Sequence, residues 1–82
     1  MLTVSIISHE SILFEGSAEI VVAPAFDGQV GILTDHAPMM TLLGKGKLRV
    51  GSGATAKTFT VDGGFLQVAA NTVRVVTERA SA

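Results

Sequence analysis

The sequence predicts an all-β domain, a small antiparallel β-sandwich or flattened barrel. Two observations carry this prediction: apolar residues recur with a period of two almost everywhere, and turn-forming residues interrupt them at short intervals. A third removes the main competitor, since no stretch has the long helical pattern that a crossover between parallel strands requires. With 82 residues, 48% of them hydrophobic, the chain can bury one core and has no room for a second, so residues 1–82 read as a single domain.

The elements follow in order. Leu2, Val4 and Ile6 alternate with Thr3 and Ser5 in a first strand. Ala18, Ile20 and Val22 alternate with Glu19, Val21 and Ala23 until Pro24, which cannot donate to a ladder and is expected to close its strand at a sheet edge. Residues His36 to Leu43 fit either a short helix or an irregular strand, with Pro38 near the front. Leu48 and Val50 alternate with Lys47 and Arg49, Phe59 and Val61 with Thr58, Thr60 and Asp62, and Val73 and Val75 with Thr72, Arg74 and Val76. Turn formers between them are Asp27-Gly28, Gly31, Gly44, Gly46, Gly51-Ser52-Gly53, Asp62-Gly63-Gly64 and Asn71. Gly51 to Ala56 reads as a hairpin loop.

Composition excludes several function classes. Six basic and seven acidic residues give a net charge of -1, too weak a field to attract a nucleic acid backbone. Cysteine is absent, which removes disulfides, a thiol nucleophile and sulfur ligands for a metal. Tyr and Trp are absent as well, and four Phe make a poor base-stacking or sugar-binding platform. The longest apolar runs, such as Ile20 to Ala23 before Pro24, stop far short of the roughly 20 residues of a spanning helix. The chain therefore reads as soluble, without direct membrane insertion. It enters its first alternating segment directly from Met1 without a leader pattern, which predicts a cytoplasmic product of a bacterium-like translation system.

Residues able to do chemistry are few. Asp35-His36 is the only adjacent acid and imidazole, and neighbours on a strand point to opposite faces, so the pair does not by itself form a relay. His9, beside Glu10, reads as a solvated loop residue, and the two histidines have no diagnostic metal spacing. Gly44-Lys45-Gly46-Lys47 lacks the glycine spacing and the following Ser or Thr of a phosphate loop. Gly28-Gln29-Val30-Gly31 is too short for a dinucleotide fingerprint. The carboxylates Glu10, Glu15, Glu19, Asp27, Asp35, Asp62 and Glu78 are scattered. These readings predict no catalytic site, no metal site and no cofactor. Met39 and Met40 suit equally a contact surface and the filling of core gaps.

At Asp27-Gly28-Gln29-Val30-Gly31-Ile32-Leu33, followed by Asp35-His36-Ala37-Pro38, the sequence closely resembles the epsilon subunit family of the rotary ATP synthase, called delta in mitochondria. Flanking features match too: Phe14-Glu15-Gly16 leading into Ile20-Val21-Val22 and Pro24, Gly44 to Arg49, Asp62-Gly63-Gly64-Phe65-Leu66-Gln67-Val68, and a last strand over Val73 to Thr77. The resemblance covers nearly the whole chain, and its specificity lies in the ordered combination.

The resemblance implies a non-catalytic rotor subunit of the central stalk, without a cofactor, bound to the gamma shaft and resting on the c-subunit ring below the catalytic head. It implies a peripheral position on the cytoplasmic face of a bacterial inner membrane and a part in coupling proton or sodium flow to ATP synthesis. Ring contacts are expected from Asp27, Gly28, Gln29, Val30 and His36. Gln29 stands where family members often carry an acid, which leaves Asp27 as the charge of that segment. Gamma contacts are expected from Ala37, Pro38, Met39, Met40, Leu42 and Phe65. Many members continue into a helical hairpin associated with inhibition of ATP hydrolysis and, in some, with ATP binding. The sequence stops at Glu78-Arg79-Ala80-Ser81-Ala82, so those roles do not transfer. The competing readings are a small β-sandwich ligand-binding module with a shallow polar site at Asp35, His36 and the glycine loops, and an enzyme using His36 as a base.

Overall fold

A computed structural model describes residues 1–9 and 11–81. Glu10 and Ala82 lie outside the described residues. Strands β1 (Leu2–Ser8), β2 (Ile12–Ala18), β3 (Ile20–Ala25), β4 (Gly28–Leu33), β5 (Met39–Leu42), β6 (Lys45–Val50), β7 (Lys57–Ala69) and β8 (Thr72–Ser81) make the fold, with one 3-10 turn at Gly53–Thr55. The all-β expectation holds. The ambiguous segment before Leu43 is strand β5, and Gly51 to Ala56 connects β6 to β7.

Hydrogen bonding links the strands in the order β2-β1-β8-β7-β6-β3-β4, with β5 on β7 off this path. Strand β7 belongs to two layers: its first half pairs with β6 from Lys57 to Asp62, and its second half pairs with β5 from Phe65 to Val68. One layer is therefore β2-β1-β8-β7-β5 and the other β7-β6-β3-β4. Leu2, Val4, Ile6, Leu66, Val68, Val73 and Val75 of the first face Val21, Ala23, Ile32, Leu48, Val50, Phe59 and Val61 of the second, all buried in one cluster. This is sandwich packing, with alternate residues of each strand turned inward. The sheet is mixed and does not close into a barrel: β1 lies parallel to β8, while the other pairings are antiparallel.

Asp62-Gly63-Gly64 does not separate two strands, as expected from its turn residues. It bends one. In β7 the buried residues are Phe59 and Val61 before the glycines and Leu66 and Val68 after them, so the inward face changes from odd to even positions. Gly63 (φ 77) and Gly64 (φ 109) provide the backbone conformations that allow this change. Thr77 on β8 completes the corner: its buried hydroxyl lies 3.0 Å from the Gly63 carbonyl and 2.8 Å from that of Arg79, and its single hydrogen is shared between them.

Three further differences have local causes. Pro24 sits inside β3, one residue before its end, in a strand with neighbours on both sides. The Pro24 carbonyl accepts from Gly44 N at 2.7 Å, and in a strand a residue's donor and acceptor share a side, so its missing donor faces the β5–β6 connection and costs β4 no bond. Gly31 and Gly46 lie within β4 and β6, where the ladder continues through them. Strand β2 went unread because it is an edge strand, mostly exposed and without a clean alternation.

The β7–β8 turn holds the opposite end. Ala70 (φ 49) and Asn71 (φ 60) adopt the left-handed conformations of a tight hairpin. The Asn71 carbonyl accepts from Thr3 N at 2.8 Å, its Oδ1 accepts from Asp35 N at 2.6 Å, and its Nδ2 donates to Asp35 Oδ1 at 3.1 Å. One side chain thus fixes the β4–β5 connection to a turn 36 residues away. Asn71→Ala is expected to lower stability by about 1–2 kcal/mol, read by denaturant unfolding, because two hydrogen bonds are lost at a constrained loop.

Candidate functional site

The chain offers little to a catalyst. Asp35, in the left-handed region at φ 65, directs its carboxylate to Asn71 and not to His36. His36 is half-buried, and its Nδ1 lies 2.7 Å from the Ala37 carbonyl, so that Nδ1 carries the hydrogen and the ring is tied to its own loop. Among the described residues no group of three or more His, Asp or Glu side chains could hold a metal ion. A cleft of about 380 Å³ lies between β2 and the β6–β7 connection, lined by Met1, Phe14, Glu19 and Lys57 among others, away from Asp35 and His36.

The expected contact residues fall into three places. Phe26 and Asp27 form the turn between β3 and β4, with Gly28, at φ 137, opening β4. Asp27, Gly28 and Gln29 are exposed there, while Val30 is half-buried and packs against the core. His36 is not part of this group. Its backbone N–H donates to the Leu33 carbonyl, at the far end of β4, about 17 Å from Gly28 at the usual rise per strand residue. It stays with the exposed Ala37 and Pro38 in the loop held by Asn71.

Strand β5 then runs from that loop back to the β3–β4 turn, where Phe26 N donates to the Leu42 carbonyl at 3.1 Å. Its register separates two residues that sequence alone left together. Met39 opposes Val68 and packs against the core; Met40 and Leu42 oppose Gln67 and Phe65 on the outer face. Met40 is 65% exposed, Leu42 61% and the neighbouring Phe26 69%, with Phe65 half-buried beside Leu42. Large exposed apolar side chains on adjacent strands mark a contact surface. Sequence reasoning missed Phe26, although an aromatic residue at a turn, where no core position is available, is a readable signal.

The other outer face is different in kind. On β6, Lys45, Lys47 and Arg49 point outward opposite Asp62, Thr60 and Thr58. The outer face of β6 is solvated and basic, whereas β5 carries exposed apolar side chains on the outer face of the other layer. No helix among the described residues is long and apolar enough to cross a membrane.

Comparison with known proteins agrees with this architecture. The model of the ATP synthase delta/epsilon chain β-sandwich domain matches residues 1–82. The chain belongs to that family. It is 43% identical over 77 residues to the ATP synthase epsilon chain of Leptospira borgpetersenii, which covers 94% of this chain and 61% of that one. It is 41% identical over 76 residues to the epsilon chain of Caulobacter vibrioides, covering 93% of this chain and 88% of that one. The present chain thus spans about three-fifths of the Leptospira relative. Among solved structures, a chain of the Euglena gracilis mitochondrial ATP synthase, described as OSCP/F1/c-ring, superposes with a TM-score of 0.89 at 19% identity, over 98% of this chain and 52% of that one. A chain of the Tetrahymena thermophila mitochondrial ATP synthase central stalk and c-ring gives 0.78 at 17% identity, over 98% and 65%. At those identities the likeness is one of fold alone.

Proposed function

We propose that this epsilon-family sandwich is a non-catalytic rotor element of a proton- or sodium-translocating ATP synthase, binding the gamma subunit and the c ring so that ion flow is coupled to ATP synthesis. Its place is peripheral, on the cytoplasmic face of a bacterial inner membrane, in the complex that carries the catalytic head. The observation that carries the reading is the outward apolar surface of β5, Met40 and Leu42, running directly into the exposed Phe26-Asp27 turn. A part that passes torque must hold two partners at once, and here two chemically different surfaces adjoin. Met40, Leu42 and Phe65 offer an apolar contact suited to gamma. The Asp27-Gly28-Gln29 turn offers polar groups and one charge suited to the ring, and its binding is the more salt-sensitive.

Met39 is left out of the gamma surface because it packs inward, so a charge there disturbs the fold and tests nothing about binding. The informative variant is Met40→Glu with Leu42→Glu. It is expected to weaken gamma binding at least about tenfold, the equivalent of about 1.4 kcal/mol, while the melting temperature stays within a few degrees. Calorimetric titration of gamma with the variant checks it, and unchanged affinity places the gamma surface elsewhere.

A further inference from the structure

The side chain of an aspartate or asparagine can react with the backbone of the residue that follows it. This chain has four such junctions: Asp27-Gly28, Asp35-His36, Asp62-Gly63 and Asn71-Thr72. The backbone nitrogen of the second residue attacks the side-chain Cγ and gives up its proton. The carboxyl hydroxyl leaves as water, or the amide group as ammonia, and a five-membered succinimide closes. Water then opens the ring. Opening at the Cγ carbonyl restores aspartate, and opening at the backbone carbonyl gives isoaspartate, with the main chain now running through the former side chain. The reaction favours glycine in second place, where no side chain crowds the nitrogen, and it needs enough local freedom to bring nitrogen and Cγ together.

The fold restrains three of the four. At Asp35 the carboxylate accepts from Asn71 Nδ2 at 3.1 Å, and the nitrogen of the bulky His36 donates to the Leu33 carbonyl at 3.1 Å. Asn71 is tied to Asp35 through both ends of its amide, and the β-branched Thr72 crowds the nitrogen that would attack it. Asp62-Gly63 has the reactive dipeptide but lies within β7, where Asp62 pairs with Lys45 of β6 on one side and Arg79 of β8 on the other. Gly63 N donates to the Gly44 carbonyl at 3.2 Å, and the Glu78 carboxylate lies 3.5 Å from the position of a Cβ on Gly63. Ring closure there requires two ladders to part at the corner of the sandwich.

Asp27-Gly28 differs on each count. Both residues are exposed, and nothing lies within 4 Å of a Cβ position on Gly28. Ala25 and Gly28 form the last rung of the β3–β4 ladder, and β4 is the edge of its layer. Fraying of that one rung frees the Gly28 nitrogen without displacing a third strand. The bond from Phe26 N to the Leu42 carbonyl holds the first residue of the turn and leaves the second untied. We propose that Asp27 is a site of isoaspartate formation, and that the fold confines the reaction to Asp27 although Asp62-Gly63 has the same dipeptide. The product adds one backbone atom to a two-residue turn and presents a free α-carboxylate to solvent. An S-adenosylmethionine-dependent isoaspartyl carboxyl methyltransferase takes substrates of that class. The inference does not depend on the rotor reading, since it needs only the turn and the ladder behind it.

Ageing of the purified protein at neutral pH and physiological temperature tests this, once folded and once in urea. Isoaspartate is read by methyl transfer from labelled S-adenosylmethionine with an isoaspartyl methyltransferase, and is placed in the sequence by electron-transfer fragmentation. In the folded protein, residue 27 is expected to carry isoaspartate at least about tenfold more often than residue 62, because the edge rung opens far more readily than the interior of β7. Asp27→Glu, which would have to close a six-membered ring, is expected to lose most of the methyl-accepting signal while melting near the parent protein. In urea the two Asp-Gly junctions lose their different surroundings and are expected to react within about threefold of each other. Folded protein with no isoaspartate at Asp27, or with as much at Asp62, would overturn the proposal. A preference for Asp27 that persists unchanged in urea would also overturn it, by assigning the selectivity to flanking sequence instead of the fold.

Discussion

Gly64→Ala is expected to unfold the domain or to remove about 4 kcal/mol or more of its stability, a loss in the exceptional class for a single substitution. A Cβ on Gly64 would lie inside the van der Waals envelope of the Val76 carbonyl oxygen and 2.7 Å from the Thr77 Cα. Both obstacles are backbone of the neighbouring strand, which cannot rotate aside as a side chain can. The conformation adds its own penalty, because φ of 109 is one that residues with a Cβ rarely adopt. The corner where β7 passes between the layers has no relaxed alternative, since Leu43 N donates to the Gly64 carbonyl at 2.9 Å. Gly31→Ala is the control: nothing lies within 4 Å of its Cβ position, and the change is expected to stay within about 0.5 kcal/mol. Urea unfolding of the pair decides the matter, and a Gly64→Ala protein as stable as its parent would show that β7 does not turn at this residue.

Leu66→Ala is expected to cost about 2–5 kcal/mol, the range for deleting a buried leucine and leaving a partly collapsed cavity. Leu66 is fully buried on the second half of β7, with Thr41 of β5 and Val75 of β8 as its ladder partners. A domain of this size holds about 4–12 kcal/mol in total at the usual stability per residue, so this one side chain accounts for a large fraction. Met40→Ala removes a side chain of similar bulk from the adjacent strand but from its outer face. It is expected to change stability by no more than about 0.5 kcal/mol. Chemical denaturation of the two variants thus measures the face assignment of β5 and β7 directly, and equal losses would contradict it.

The strands that alternate cleanly were legible because one face of each is buried and the other solvated: Leu2, Val4 and Ile6, then Leu48 and Val50, then Val73 and Val75. Strand β7 was legible only in part. Its glycines look like a turn in sequence, and only the ladder partners on either side of Gly63-Gly64 reveal one continuous strand that changes face. The parallel contact of β1 with β8 joins the two ends of the chain and has no local signal at all. The same holds for the candidate surface. Asp27, Gly28 and Gln29 were found from a motif, and the structure places them at an exposed turn. Met39 and Met40 could not be separated until the register of β5 was known.

The central claim is that this sandwich is held between a shaft and a ring, and its most direct test is binding of the protein to purified gamma, by calorimetry or co-elution at low and moderate salt. A one-to-one complex that persists as salt is raised is expected, because the contact is chiefly apolar. A folded protein that fails to associate with gamma at either salt concentration would contradict it.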